Sequence, residues 1–159
     1  MEGITLLGTI GLSLLPISEL RGAIPFAYLR GAPLIPAYLV SVGTNALVGP
    51  LVFIFLSTAH RLFTRMAWYR RFFEYTVEHA RRKTEGKVHR YGYWGVMLFV
   101  AIPLPITGAY TGTLGAWILG LDRRRTCLAV LGGVIISGII VSSILFFGVE
   151  ALYILVKRV

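Results

Sequence analysis

Three stretches of this chain carry no charge at all: residues 34–59, 91–121 and 126–149. An uncharged apolar run of about 20 residues can cross the hydrocarbon core of a bilayer as a helix. In hydrocarbon only helices and closed barrels satisfy every backbone group. Charged residues make up 14% of the chain, against about 25% in an ordinary soluble domain, and the mean hydropathy is +0.74. At 159 residues the chain is expected to be one all-α integral membrane unit, 1–159.

Some of the apolar sequence is too short to cross. Ile4–Leu15 has 12 residues, which as a helix of about 1.5 Å per residue falls well short of a core of about 30 Å. Pro16 to Gly22 follows, with Glu19 and Arg21 inside it, and then Ala23–Leu29 with Pro25. Proline removes a backbone donor and glycine loosens the chain. Residues 3–31 are therefore expected to form half-helix, turn, half-helix: a re-entrant hairpin. Residues 34–60 read as a transmembrane helix containing Pro36, Pro50 and, near its middle, Asn45. Between 61 and 90 the chain turns basic, and Leu62, Met66, Tyr69, Phe73, Val77 and Ala80 make one apolar stripe, the pattern of an amphipathic helix on the membrane surface. Residues 93–121 return to the first pattern, two short apolar halves broken at Pro103, Pro105 and Gly108, and 126–149 is a second span.

Charge chooses between two topologies. If all four hydrophobic segments crossed, the basic stretches 61–92 and 122–125 would lie on opposite sides and one would violate the positive-inside rule. If 93–121 enters and returns on one side, both are cytoplasmic. The span 34–60 then begins outside, and a hairpin at 3–31 starts and ends outside. The fold expected is an inverted repeat of two re-entrant helical hairpins, each followed by a transmembrane helix, with the amphipathic cytoplasmic helix between repeats and both termini outside the cell membrane. Leu15-Pro16-Ile17-Ser18 recurs as Leu104-Pro105-Ile106-Thr107, 89 residues on.

The stretch Leu15-Pro16-Ile17-Ser18-Glu19-Leu20-Arg21-Gly22-Ala23-Ile24-Pro25, together with Ile102 to Gly112, resembles the small multidrug export family over nearly the whole chain. More distantly both hairpins resemble the DedA superfamily of VTT, or SNARE-associated, membrane proteins. That resemblance implies two opposed re-entrant hairpins and a role in moving polyprenyl-phosphate carriers or other lipids. It places Glu19 where such proteins keep a hairpin carboxylate. Those proteins usually also carry arginines in the second hairpin, whereas Val100–Gly112 has no charge, so either Arg21 binds a lipid phosphate alone or the substrate differs.

A charge at the bilayer centre costs about 3 kcal/mol or more, so ionisable residues there mark function by default. Glu19 is the expected proton carrier, since a carboxyl group out of bulk water can take up and release a proton near neutral pH. Arg21 is the expected binder of an anionic headgroup, because its fork grips two oxygens; a Glu19–Arg21 salt bridge that merely closes the hairpin is the competing expectation. Half-helix N-termini near Gly22 and Gly108 would aim positive dipole ends at one point. Thr107 and Tyr110, with Asn45, would add neutral hydrogen bonds or serve packing alone.

The reading is a small transporter or lipid flippase, proton-coupled through Glu19, that moves an anionic lipid carrier such as polyprenyl phosphate. The alternatives are a proton-coupled exporter of small amphipathic drugs and a non-transporting scaffold or assembly factor. Expected partners are membrane lipids, protons and a second copy of the chain, joined through the glycine-serine face of the last span. The net charge of +9 fits anionic headgroups better than nucleic acid. No cofactor, metal or enzymatic step is expected. Cys127 is the lone cysteine, His60, His79 and His89 lack ligand spacing, and no nucleophile-base pair or phosphate loop stands out. Met1-Glu2-Gly3 has no basic start that would mark a cleavable signal.

Overall fold

Prolines decide where the helices stop. The computed structural model describes residues 1–63, 87–104 and 107–157. Among them every regular element is a helix: α1 (Gly3–Leu14), α2 (Glu19–Leu29), α3 (Leu34–Ala46), α4 (Val48–Phe63), α5 (Lys87–Ala101), α6 (Ala109–Ile118) and α7 (Arg123–Lys157). Two segments are long and apolar enough to cross a membrane, Leu34–Phe63 and Arg123–Gly148.

The first of these is not the continuous helix expected over 34–60. It divides into α3 and α4 at Leu47, whose N–H turns back to the Thr44 carbonyl. Pro50 has no N–H to offer the carbonyl four residues earlier, that of Ala46, and the helix parts there. Pro36 causes no such break, because it sits in the first turn of α3, where backbone donors lack intrahelical partners anyway. The second span is longer than the expected 126–149. It opens at Arg123, where Asp122 Oδ1 accepts the Arg125 N–H at 3.0 Å, an ordinary N-cap.

The short halves also exist. α1 packs on α2 across the break at 15–18, and α5 packs on α6 across the break at 102–108. The order short helix, break, short helix, span thus occurs twice, and α3 and α7 open 89 residues apart, at Leu34 and Arg123. Of the amphipathic segment expected over 61–90, residues 61–63 close α4 and 87–90 open α5; the rest lies outside the described residues, as does Pro105.

α7 is the element most others pack on: α5, α3, α2, α6 and α4 all touch it. Its small residues make this possible. A Cβ on Gly133 would lie 2.6 Å from Val100 Cβ and 2.7 Å from the Met97 carbonyl, and one on Gly138 would lie 2.7 Å from Tyr38 and Val42. Ser137 is buried between them. The glycine-serine face expected to join two copies is therefore covered within one chain, by α5 and α3. Leu20, Ile24, Val48, Val100, Val130 and Val134 fill the core around it.

Candidate functional site

The two breaks meet. Glu19 opens α2 with a left-handed backbone, φ 47°, a conformation that is uncommon for any residue but glycine. Its side chain is only 6% exposed and reaches the start of α6. Oε2 accepts the Ala109 N–H at 3.3 Å and Oε1 the Tyr110 N–H at 3.4 Å. These are two of the donors a helix cannot satisfy at its own N-terminus, and the positive end of the helix dipole favours a negative group there. Gly108 stands at this junction because a Cβ would collide with the Glu19 carboxylate.

The contact is reciprocal. The Tyr110 hydroxyl donates to the Leu14 carbonyl at 2.5 Å, so the second break caps the C-terminal end of α1 while the first caps the N-terminus of α6. Thr107 holds the second break closed on itself. Its hydroxyl donates to the Ile102 carbonyl at 2.6 Å and accepts the Leu104 N–H at 3.2 Å. Thr111 Oγ1 accepts the Gly108 N–H at 3.1 Å, which fixes the first turn of α6.

Arg21 is the less satisfied charge. Its Nη2 donates to Thr107 Oγ1 at 3.4 Å, and its Nε is buried with no partner. No ion pair joins it to Glu19. Residues two apart on a helix leave on nearly opposite sides, which the salt-bridge expectation overlooked. Guanidinium groups offer five donors, and this one spends a single long bond, so the junction keeps unspent positive character.

Asn45 donates from Nδ2 to the Ser13 carbonyl at 2.9 Å, one residue before the carbonyl that Tyr110 caps, and so joins the end of α1 rather than Glu19. Pro16 is an exposed turn residue and Pro103 a half-buried one. Gly22 is no helix start: α2 begins three residues earlier, at Glu19. A Cβ there would strike the Ser18 hydroxyl. Of the two N-termini expected to converge, the one near Gly108 takes the carboxylate. The left-handed turn at Glu19 had no signal in the sequence beyond its position after Pro16.

An apolar groove of about 430 Å³ runs beside the junction, between α4 and α6. Leu51, Val52, Phe55 and Leu114 line it, and Tyr110 and Thr111 form its polar end. A long hydrophobic body would fit along it with a polar group near the breaks.

A family model described as "Putative small multi-drug export protein" matches residues 19–140. The matched stretch contains Glu19, Arg21, Asn45, Thr107, Gly108 and Tyr110. No curated protein and no solved structure matches the chain.

Proposed function

Because the chain belongs to the small multidrug export family, whose model covers residues 19–140, we propose that it is a membrane transporter, without an enzymatic step, for amphipathic molecules with an anionic head. The observation that carries this is the imbalance at the breaks. Glu19 is already held by two backbone donors, whereas Arg21 has one long bond and a buried Nε without a partner. A phosphate or carboxylate would be gripped by the free part of the guanidinium. The groove ending at Tyr110 and Thr111 would take the apolar body. A polyprenyl phosphate or related lipid carrier has this shape, and the kinship with the DedA superfamily belongs to the same reading.

In this reading α1–α2 and α5–α6 are re-entrant hairpins that enter from opposite faces, the stretches 61–92 and 122–125 are cytoplasmic, and both termini are outside. Non-helical backbone at membrane depth is tolerated where protein or a wet cavity covers it, and Glu19, Arg21 and Tyr110 link the two breaks to each other. A proton on Glu19 removes the charge that binds it to the α6 N-terminus. Protonation then loosens the junction, and a proton gradient drives its opening. A homodimer would have to use a face other than the one Gly133 and Gly138 occupy.

The family description favours a second substrate class, small drugs. One assay separates the two: uptake of a labelled anionic isoprenoid phosphate and of a cationic amphipathic dye into proteoliposomes with an imposed pH gradient. Arg21→Ala is expected to abolish isoprenoid-phosphate movement, and Glu19→Gln to leave a folded protein that no longer responds to the gradient. Dye transport that survives Arg21→Ala, with no isoprenoid-phosphate movement in the wild type, would transfer the assignment to drugs. No movement of either by a folded protein would leave a scaffold.

A further inference from the structure

A second polar cluster lies on the seam between α1 and α3. Thr5, Thr9 and Ser13 recur every four residues along α1, so they share one face, and all three are buried. Ser41 and Asn45 stand four apart on α3 and are fully buried too. Two bonds serve these five side chains: Asn45 Nδ2 donates to the Ser13 carbonyl at 2.9 Å, and the Thr9 hydroxyl donates to the Thr5 carbonyl at 2.6 Å. The Ser13 hydroxyl, the Ser41 hydroxyl and Asn45 Oδ1 are left buried with no partner.

Unpartnered buried polar atoms are few in folded proteins, and each calls for an explanation. Among the described residues there are eight such side-chain atoms, spread over both halves, and the three of this group are all oxygens. Asn45 Oδ1 and the Ser13 hydroxyl belong to the two residues joined by one hydrogen bond, and Ser41 lies one turn from Asn45 on the same face. Ser13 and Asn45 meet at the C-terminal end of α1, the negative end of its dipole, and Ser41 stands one turn back along α3. Hard neutral oxygens at the C-terminal end of a broken helix suit an alkali cation. A divalent or transition metal would want carboxylate, imidazole or thiolate ligands, and no group of three or more His, Cys, Asp or Glu gathers among the described residues.

We propose that Ser13, Ser41 and Asn45 bind a dehydrated alkali cation, sodium, which clamps the end of α1 to α3 beside the first break. The bound ion stiffens the end of α1 that Tyr110 caps through Leu14, and so links ion occupancy to the junction of the two breaks. Its role as a coupling ion rests on the transport reading above; its binding does not.

The test is thermal unfolding of the purified full chain in detergent, titrated with sodium, potassium or choline chloride at constant ionic strength. Sodium is expected to raise the midpoint saturably, and choline is not. The Ser41 hydroxyl has no bond to lose, so Ser41→Ala should fold and melt like the wild type in choline. It should need about tenfold more sodium for half of the shift, the order expected when a site loses a ligand or a residue that orients one. Ser13→Ala should behave alike and serves if Ser41→Ala does not fold. Equal shifts with sodium and choline, no shift with sodium, or an unchanged sodium response in both variants would overturn the site. Because the readout is binding, a failed transport assay leaves this result standing, and a failed sodium titration leaves the transport reading standing.

Discussion

The two halves of the molecule share an order of elements and differ in what fills their seams. In the first half Asn45 of α3 bonds the Ser13 carbonyl of α1, and Thr5, Thr9, Ser13 and Ser41 are buried polar residues of the same two helices. In the second half α5 meets α7 through Val96, Val100, Val130 and Val134, with Gly133 letting the backbones close. Positions 89 apart make the contrast direct: Ser41 and Asn45 fall opposite Val130 and Val134. An apolar seam closed over glycine packs to interior density and transmits strain. Polar seams with unspent hydrogen-bonding atoms can bind, exchange partners and move. The α5–α7 seam is thus the stiffer platform, although α7 also buries unpartnered hydroxyls at Thr126 and Ser137; the first half brings the charges Glu19 and Arg21 to the junction, and the second brings Thr107, Ala109 and Tyr110.

The largest effect expected from this comparison is at the platform. Gly133→Val places a side chain against the Val100 side chain and the fixed Met97 carbonyl, beyond the usual overpacking cost of about 1–3 kcal/mol. The variant should fail to give a monodisperse peak in size-exclusion chromatography. By contrast, nothing lies within 4 Å of a Cβ on Gly11. Gly11→Ala should fold and gain up to about 1 kcal/mol through helix propensity, read as a higher melting point.

Exchanging the seams should be asymmetric. Val134→Asn buries an amide among Val100, Val130 and their neighbours, with an expected cost of about 1–3 kcal/mol. Asn45→Val removes one interhelical bond of a kind worth about 0.6 kcal/mol in membrane proteins and also removes an unpartnered oxygen. In sodium-free buffer its melting point should fall by a smaller amount or not at all. Equal losses for the two exchanges would mean that the seams do not differ as described.

Much of this arrangement was legible in the sequence because hydrocarbon is a strict solvent. Charge-free runs announced helices, twelve apolar residues before Pro16 announced a half-helix, and the recurrence of Leu-Pro-Ile-Ser as Leu-Pro-Ile-Thr marked both breaks. Glu19, Arg21, Thr107, Gly108 and Tyr110 were singled out by type and depth, and the structure brings all five together. What stayed hidden depends on direction rather than on composition. The left-handed turn at Glu19 re-aims its carboxylate at α6, and no pattern of residue types encodes that. The division at Leu47 followed from Pro50, but whether a proline kinks a helix or parts it is decided by how neighbours satisfy the freed carbonyl. Gly133 and Gly138 were visible as a close-contact face, yet periodicity alone could not say whether the partner was another chain or α5 and α3.

The central claim, that the two breaks meet at Glu19 and the α6 N-terminus, is open to one direct measurement. Spin labels on Ile17→Cys and Leu104→Cys, in a Cys127→Ser background, would sit at exposed positions within the two breaks. Pulsed electron resonance in lipid vesicles should give one short-distance population, well below the hydrocarbon thickness of about 30 Å, because the Leu104 N–H bonds the Thr107 hydroxyl that Arg21 contacts. A single population at about 30 Å or more, the thickness of the hydrocarbon core, would put the breaks at opposite faces of the membrane and contradict the account.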